Sequence, residues 1–172
     1  MQIKQKLRIF APNMTKETNP SCMNTVDSHI AGNSVCRQLT LSNEVDEISK
    51  LGAFIDELAD QAMIDPALAM SLNLALEEAV TNVVLYAYPE GQAGKVDIQA
   101  AVSNGEVTFV ITDSGKAFDP TTEVAEADIT LSAEERPIGG LGVFLVKQIM
   151  DTVSYQRSDG KNILTLAKRL DS

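Results

Sequence analysis

Two dipeptides, Asn104-Gly105 and Asp159-Gly160, constrain this chain more than anything else in it, because each joins two strand-like runs. Asn-Gly and Asp-Gly accept the left-handed backbone of a two-residue hairpin turn, whose twist matches that of the strands it connects. Ahead of Asn104, the apolar residues Val96, Ile98, Ala100 and Val102 alternate with others; beyond Gly105, Val107, Phe109 and Ile111 do the same. Val153 to Ser158 and Asn162 to Leu170 flank the second turn. Two hairpins are expected, and with them a largely antiparallel sheet that has one apolar face.

That face needs a cover, which helices supply. Asp65-Pro66 is a helix start, a capping carboxylate followed by proline at the first helical position. The helix is expected from Pro66 to about Tyr86, with Pro89 and Gly91 ending it. Upstream, Arg37 to Leu41 alternates as a short strand does, and Ser42 or Asn43 can cap a helix in which Val45, Ile48, Gly52, Ile55 and Ala59 recur at helical spacing. A third helix follows Gly139-Gly140-Leu141-Gly142, with Val143, Val146, Ile149 and Met150 on one face. The order strand, helix, helix, hairpin, loop, helix, hairpin predicts an α+β two-layer sandwich, in which a mixed, mostly antiparallel sheet is covered on one face by helices. Residues 1–37 lack sustained periodicity and are expected to form a flexible or loosely attached extension to a domain spanning residues 38–170.

Composition narrows the function classes. The formal net charge is −10, which disfavours direct nucleic-acid binding. No run of about 18 apolar residues is present, and the basic N-terminus lacks the apolar stretch of a secretory signal, so a cytoplasmic protein without membrane contact is expected. Cys22 and Cys36 form no metal-binding spacing, and His29 stands alone in an unpatterned stretch.

Three clusters could carry chemistry. On the second helix, Glu78 and Asn82 are one turn apart and share a face, with small Ser71 and Ala75 beside them and Leu74 and Leu85 flanking the strip. A carboxylate and an amide there can hold a metal-bound phosphate and accept a proton; an ordinary polar helix face looks the same. Asp113 ends an apolar strand and Gly115 follows it. The carboxylate can accept from an amino group such as that of adenine, and the glycine lets a flat base approach the backbone, although a plain Asp-Ser-Gly turn has the same letters. Gly139-Gly140-Leu141-Gly142 opens a helix, exposing N–H groups to phosphate, in a spacing that is neither a Walker loop nor a dinucleotide fingerprint.

In this order and spacing the three clusters resemble the N, G1 and G2 boxes of the ATPase superfamily of gyrase, histidine kinases and mismatch-repair ATPases. The closer resemblance is to the bacterial anti-sigma-factor serine kinases. It rests on Glu78-x-x-x-Asn82, Asp113-Ser-Gly115-Lys-Ala-Phe118-Asp119-Pro120, Gly139-Gly-Leu-Gly142-Val-Phe-Leu with Met150-Asp151, and the terminal Asn162-Ile-Leu-Thr165-Leu, and covers about Gln38 to Leu170. Ala117 departs from it, standing where many superfamily members have a second glycine.

The resemblance implies a Bergerat-type ATP-binding fold. Asn82 would coordinate Mg²⁺ and Glu78 would be the general base. Asp113 would bind adenine, with Gly115 supporting the base and Thr165 reaching it directly or through water. Gly140 and Gly142 would cradle the phosphates, and Thr121 to Ile138 would form a lid from which Arg136 meets them. The implied function is an ATP-dependent serine/threonine protein kinase that phosphorylates an anti-anti-sigma protein and sequesters a sigma factor, with a second copy of the chain as a further candidate partner. The alternative is an ATP-binding interaction module, a switch without phosphotransfer, which would have no need of a base at Glu78. A histidine-kinase or gyrase-like ATPase fits less well, because no helical hairpin carries a phosphoacceptor histidine and no transducer domain follows.

Overall fold

The computed structural model describes residues 34–122 and 140–170. The first 33 residues of the expected extension, Arg136, Gly139 and most of the Thr121–Ile138 segment lie outside the described residues. Among those described, the strands are β1 (Val35–Ser42), β2 (Lys95–Ser103), β3 (Glu106–Asp113), β4 (Thr152–Ser158) and β5 (Lys161–Arg169). The α-helices are α1 (Lys50–Ala62), α2 (Pro66–Tyr86) and α3 (Gly140–Ile149). The first strand thus begins at Val35, so that Val35, Cys36 and Arg37 belong to the sheet rather than to the extension.

The strands lie in the order β1-β2-β3-β5-β4, and every neighbouring pair is antiparallel. The sheet is therefore not mixed among the described strands. β4 does run in the direction of β3, but β5 inserts between them and pairs antiparallel with both. Both hairpins turn where the dipeptides require it: φ is 52° and 73° at Asn104 and Gly105, and 51° and 78° at Asp159 and Gly160. Positive φ at both central residues is the type I′ condition.

Strand alternation then sorts the sheet into two faces. Val96, Ile98, Ala100 and Val102 of β2 point to the same side as Val107, Phe109 and Ile111 of β3, and all are buried there. The helices pack on that side. α2 is the central one, burying Leu72, Leu76, Ala79 and Val80, each large aliphatic side chain contributing about 1.5–3 kcal/mol by leaving water. By length and a mean hydropathy of 1.3 this helix passes the test for a membrane span. Its buried stripe against the sheet accounts for that apolarity as a core helix.

The first helix departs from its expected form. Val45–Ser49 is a 3₁₀ turn, and the α-helix begins only at Lys50. Its core face is Leu51, Phe54, Ile55 and Leu58, whereas Val45 is 60% exposed. Asn43 does not cap it: its side chain donates to Gln92 O at 2.8 Å and accepts from Gly94 N at 2.7 Å, clasping the loop before β2. The shift follows from that clasp, which holds Asn43 beside the sheet.

At the end of α3, Asp151 fixes the entry into β4. Its carboxylate accepts from Arg169 N and from the Lys168 ammonium, both at 2.9 Å, and these hold its carboxyl below the usual carboxylate range. Val143 and Val146 of α3 and Met150 just beyond it are buried, as the apolar spacing predicts.

Asp65 caps α2 as the sequence implies, accepting from Ala67 N at 2.9 Å and Leu68 N at 3.2 Å. Asp65→Ala removes both bonds and is expected to lower stability by about 1 kcal/mol in denaturant titration. A midpoint equal to that of the unaltered chain would mean that the cap contributes nothing.

Candidate functional site

A pocket opens where α2, α3, the end of β3 and the β4–β5 hairpin meet. Ala79 and Val83 of α2, Val143 and Val146 of α3, and Val153 and Leu164 of the hairpin line it with hydrocarbon. Asn82, Asp113, Lys116, Tyr155 and Asn162 bring polar groups to the same space. Apolar walls with a few convergent polar groups are what a flat heteroaromatic ligand requires.

Asp113 stands at the last position of β3, on the buried face, and is 5% exposed. Its Oδ1 accepts from Gly115 N and from Asn162 Nδ2, both at 2.8 Å. Among the described residues no hydrogen bond falls on Oδ2, which leaves an acceptor beside the hydrocarbon walls of the pocket, suited to an amino group on a ligand. The residues present therefore fit an adenine.

Gly115 has a further reason to be glycine. A Cβ there would lie 2.6 Å from Ala87 Cβ and 2.7 Å from its carbonyl carbon. The neighbouring Lys116 N donates to Ala87 O at 2.8 Å, so the turn after β3 is seated directly on the C-terminal end of α2.

α3, whose Val143 and Val146 line the pocket, begins at Gly140, presenting the N–H groups of a helix first turn that have no partner within the helix. Gly142 meets the Glu78–Asn82 cluster: a Cβ on it would collide with Glu78 Oε2 and would stand 3.8 Å from Asn82 Nδ2. Glu78 and Asn82 are both partly exposed on α2. The fold thus brings Glu78, Asn82 and Gly142 to one place, and Asn82 shares a pocket with Asp113.

Thr165 is not among these residues. It pairs with Val110 and Ser154 on the opposite face of the sheet from Asn162, Leu164 and Leu166, and does not line the pocket. The side chain period of two is the reason: counting inward positions from buried Leu164 and Leu166 selects Asn162 and rejects Thr165. That count was available in the sequence, and it would have found Asn162. Tyr155 and Arg157, which bond to Asn162, carried no comparable signal, since a strand at a sheet edge commonly alternates in this way.

Gly115→Ala is expected to destabilise the chain by roughly 1–3 kcal/mol, because the methyl meets backbone that cannot rotate away. The exposed neighbour substitution Ser114→Ala should stay within about 0.5 kcal/mol. Equal denaturation midpoints for the two variants would refute the close seating on Ala87.

The sequence matches the family of the histidine kinase-like ATPase domain over residues 41–168. It is 34% identical to the serine/threonine-protein kinase BtrW of Bordetella bronchiseptica over 99 residues, 58% of this chain and 69% of that one. With the serine-protein kinase RsbW of Staphylococcus aureus it shares 31% over 130 residues, 73% of each chain. With RsbW of Listeria monocytogenes the identity is 30% over 96 residues, and the match spans 61% of that protein's length. In fold it resembles the crystal structure of the RsbU and RsbW domains of Rv1364c from Mycobacterium tuberculosis, with a TM-score of 0.58 and 17% identity, over 79% of this chain and 32% of that one. A five-stranded antiparallel sheet under three helices, a pocket fitted to adenine and these relatives agree: the chain is an ATP-binding member of the histidine kinase-like ATPase family, on the branch of the anti-sigma-factor serine kinases.

Proposed function

We propose that the chain is a serine/threonine protein kinase that uses ATP with Mg²⁺ to phosphorylate an anti-anti-sigma protein in the cytoplasm and alternately sequesters a sigma factor, acting as a homodimer. The observation that carries this reading is the meeting of Glu78 and Asn82 with Gly142 at the first turn of α3, in continuity with the pocket that holds Asp113. The relatives' names support the reaction class.

On this reading Asp113 Oδ2 accepts from the adenine amino group, and the apolar walls take up the ring. Asn162 takes the position at the base that Thr165 cannot reach. The N–H groups from Gly140 to Gly142 face the phosphates; the roles that the family resemblance implies for Arg136 and a Thr121–Ile138 lid concern residues that lie, Thr121 and Thr122 apart, outside those described. Asn82 offers its amide oxygen to the metal. Among the described residues no three His, Cys, Asp or Glu side chains converge, so the metal would be held by Asn82, phosphate oxygens and water.

When bound, ATP with Mg²⁺ supplies the phosphoryl group and offsets the charge on its oxygens. Glu78 supplies the base. It lies one helical turn before Asn82, where it can orient a serine hydroxyl and take its proton as the oxygen bonds to the γ-phosphorus and the bond from that phosphorus to the bridging oxygen breaks, releasing ADP. The absence of a Cβ on Gly142 is what admits the Glu78 carboxylate to this place.

Glu78→Gln keeps the shape and removes the base. The variant is expected to bind ATP normally and to lose partner phosphorylation by roughly 10²–10⁴-fold. Asn82→Ala is expected to lose the Mg²⁺-dependent part of ATP binding as well. Calorimetry with and without Mg²⁺, run beside a labelled-ATP assay on the anti-anti-sigma partner, separates the two effects. A Gln variant that phosphorylates at the normal rate would remove Glu78 from the chemistry. An unaltered chain that binds ATP and labels no partner would favour a nucleotide-dependent binding switch.

A further inference from the structure

Asn162 is a buried amide in a strand, 6% exposed, opposite Asp113 in the β3–β5 register. All of its hydrogen-bonding capacity is used. Nδ2 donates to Asp113 Oδ1 at 2.8 Å and to Lys116 O at 2.9 Å. Oδ1 accepts from the Tyr155 hydroxyl at 2.8 Å and from Arg157 Nη1 at 2.6 Å. Two donors and two acceptors are the full inventory of a primary amide.

The orientation of this amide is dictated rather than free. A guanidinium can only donate, so turning the amide over would set its NH₂ group against Arg157 and its oxygen against the Asp113 carboxylate. Arg157 Nη1 also donates to Gly115 O at 3.1 Å. The network therefore grips the carbonyls of Gly115 and Lys116 together with the Asp113 carboxylate. It fixes which carboxylate oxygen is occupied from behind and which one faces the pocket.

We infer that Asn162, oriented by Arg157, is a specificity-determining positioning residue: it saturates Asp113 Oδ1 so that Oδ2 is presented to the base as an acceptor alone, selecting a 6-amino purine over a 6-oxo purine. This rests on the reading of Asp113 as the adenine acceptor. A 6-oxo group placed against Oδ2 brings two acceptors together, and with Oδ1 held by two donors the carboxylate cannot turn aside to relieve them. Asn162→Asp changes that. It puts an acceptor where the Nδ2 donor stood, so Oδ1 keeps only its bond from Gly115 N and the carboxylate can turn away from a 6-oxo group. Arg157→Met acts more gently, removing the donor that orients the amide from a side chain that is itself exposed.

The test is equilibrium binding of ADP and of GDP, measured by calorimetry on the full chain and on the variants Asn162→Asp, Arg157→Met, Arg157→Lys and Asp113→Asn, with circular dichroism to confirm folding. The preference for ADP over GDP is expected to fall by about tenfold or more in Asn162→Asp, as one buried polar mismatch disappears. It should fall in the same direction in Arg157→Met and be largely retained in Arg157→Lys, which keeps a cationic donor. A purely structural role would weaken both nucleotides equally and leave their ratio unchanged. If the ratio is unchanged in folded Asn162→Asp and Arg157→Met while Asp113→Asn abolishes ADP binding, the inference is overturned and the role of Asp113 stands. Should Asn162→Asp fail to fold, Arg157→Met against Arg157→Lys decides by the same ratio. If Asp113→Asn binds ADP like the unaltered chain, the adenine reading itself fails and takes the inference with it.

Discussion

The register of β3 against β5 governs everything around the pocket. It sets Asp113 opposite Asn162 and Ile111 opposite Leu164, which aligns a polar pair at one end of an apolar strip. A slip of one residue would reverse the faces of β5 relative to β3, removing Asn162 from the pocket and bringing Thr165 to the helix side. The two hairpin turns hold this register from outside. Asn104-Gly105 aligns β2 with β3, Asp159-Gly160 aligns β4 with β5, and Phe109 opposite Leu166 locks the two hairpins together in the core.

The site is a concession made by an otherwise apolar interior. Asp113 and Asn162 are the buried polar residues of the described chain, and they are adjacent. An isolated carboxylate in such surroundings would be strongly penalised, whereas here a backbone N–H and an amide answer one of its oxygens. The oxygen left over is the feature that a ligand can use. Polar groups that satisfy one another on all sides make good structure and poor binding sites; this cluster is satisfied everywhere except at the edge that faces the cavity.

Much of this was legible in the chain of letters, and what was not has identifiable causes. The Pro66–Tyr86 helix and both hairpins follow from capping and turn chemistry, which act locally and leave local marks. The start of α1 did not, because Asn43 spends its side chain on a loop 49 residues away in sequence, and a helix cap reads the same as a loop clasp. Glu78, Asn82, Asp113, Gly115 and Gly142 could be named from spacing, but their meeting depends on α3 packing beside α2, which no local pattern encodes. Thr165 lies off the site because strand parity turns it to the face opposite Leu164 and Leu166, and a resemblance in letters carries no parity.

The seating of Gly115 and Lys116 on Ala87 makes α2 a length gauge. Its C-terminal carbonyl is fastened to the turn that follows Asp113, and Asn82 lies five residues back along the same helix. Each residue adds about 1.5 Å of rise and 100° of rotation, so the span from Asn82 to Ala87 is about 7.5 Å along the axis. The separation between Asn82 and the Asp113 turn is thereby written into a residue count in a rigid rod rather than into the loops that join the elements. Loops around the pocket can lengthen or shorten between related chains without disturbing that separation. A single residue inserted into this last stretch of α2 would swing Asn82 by more than a quarter turn relative to Asp113 and the turn after it.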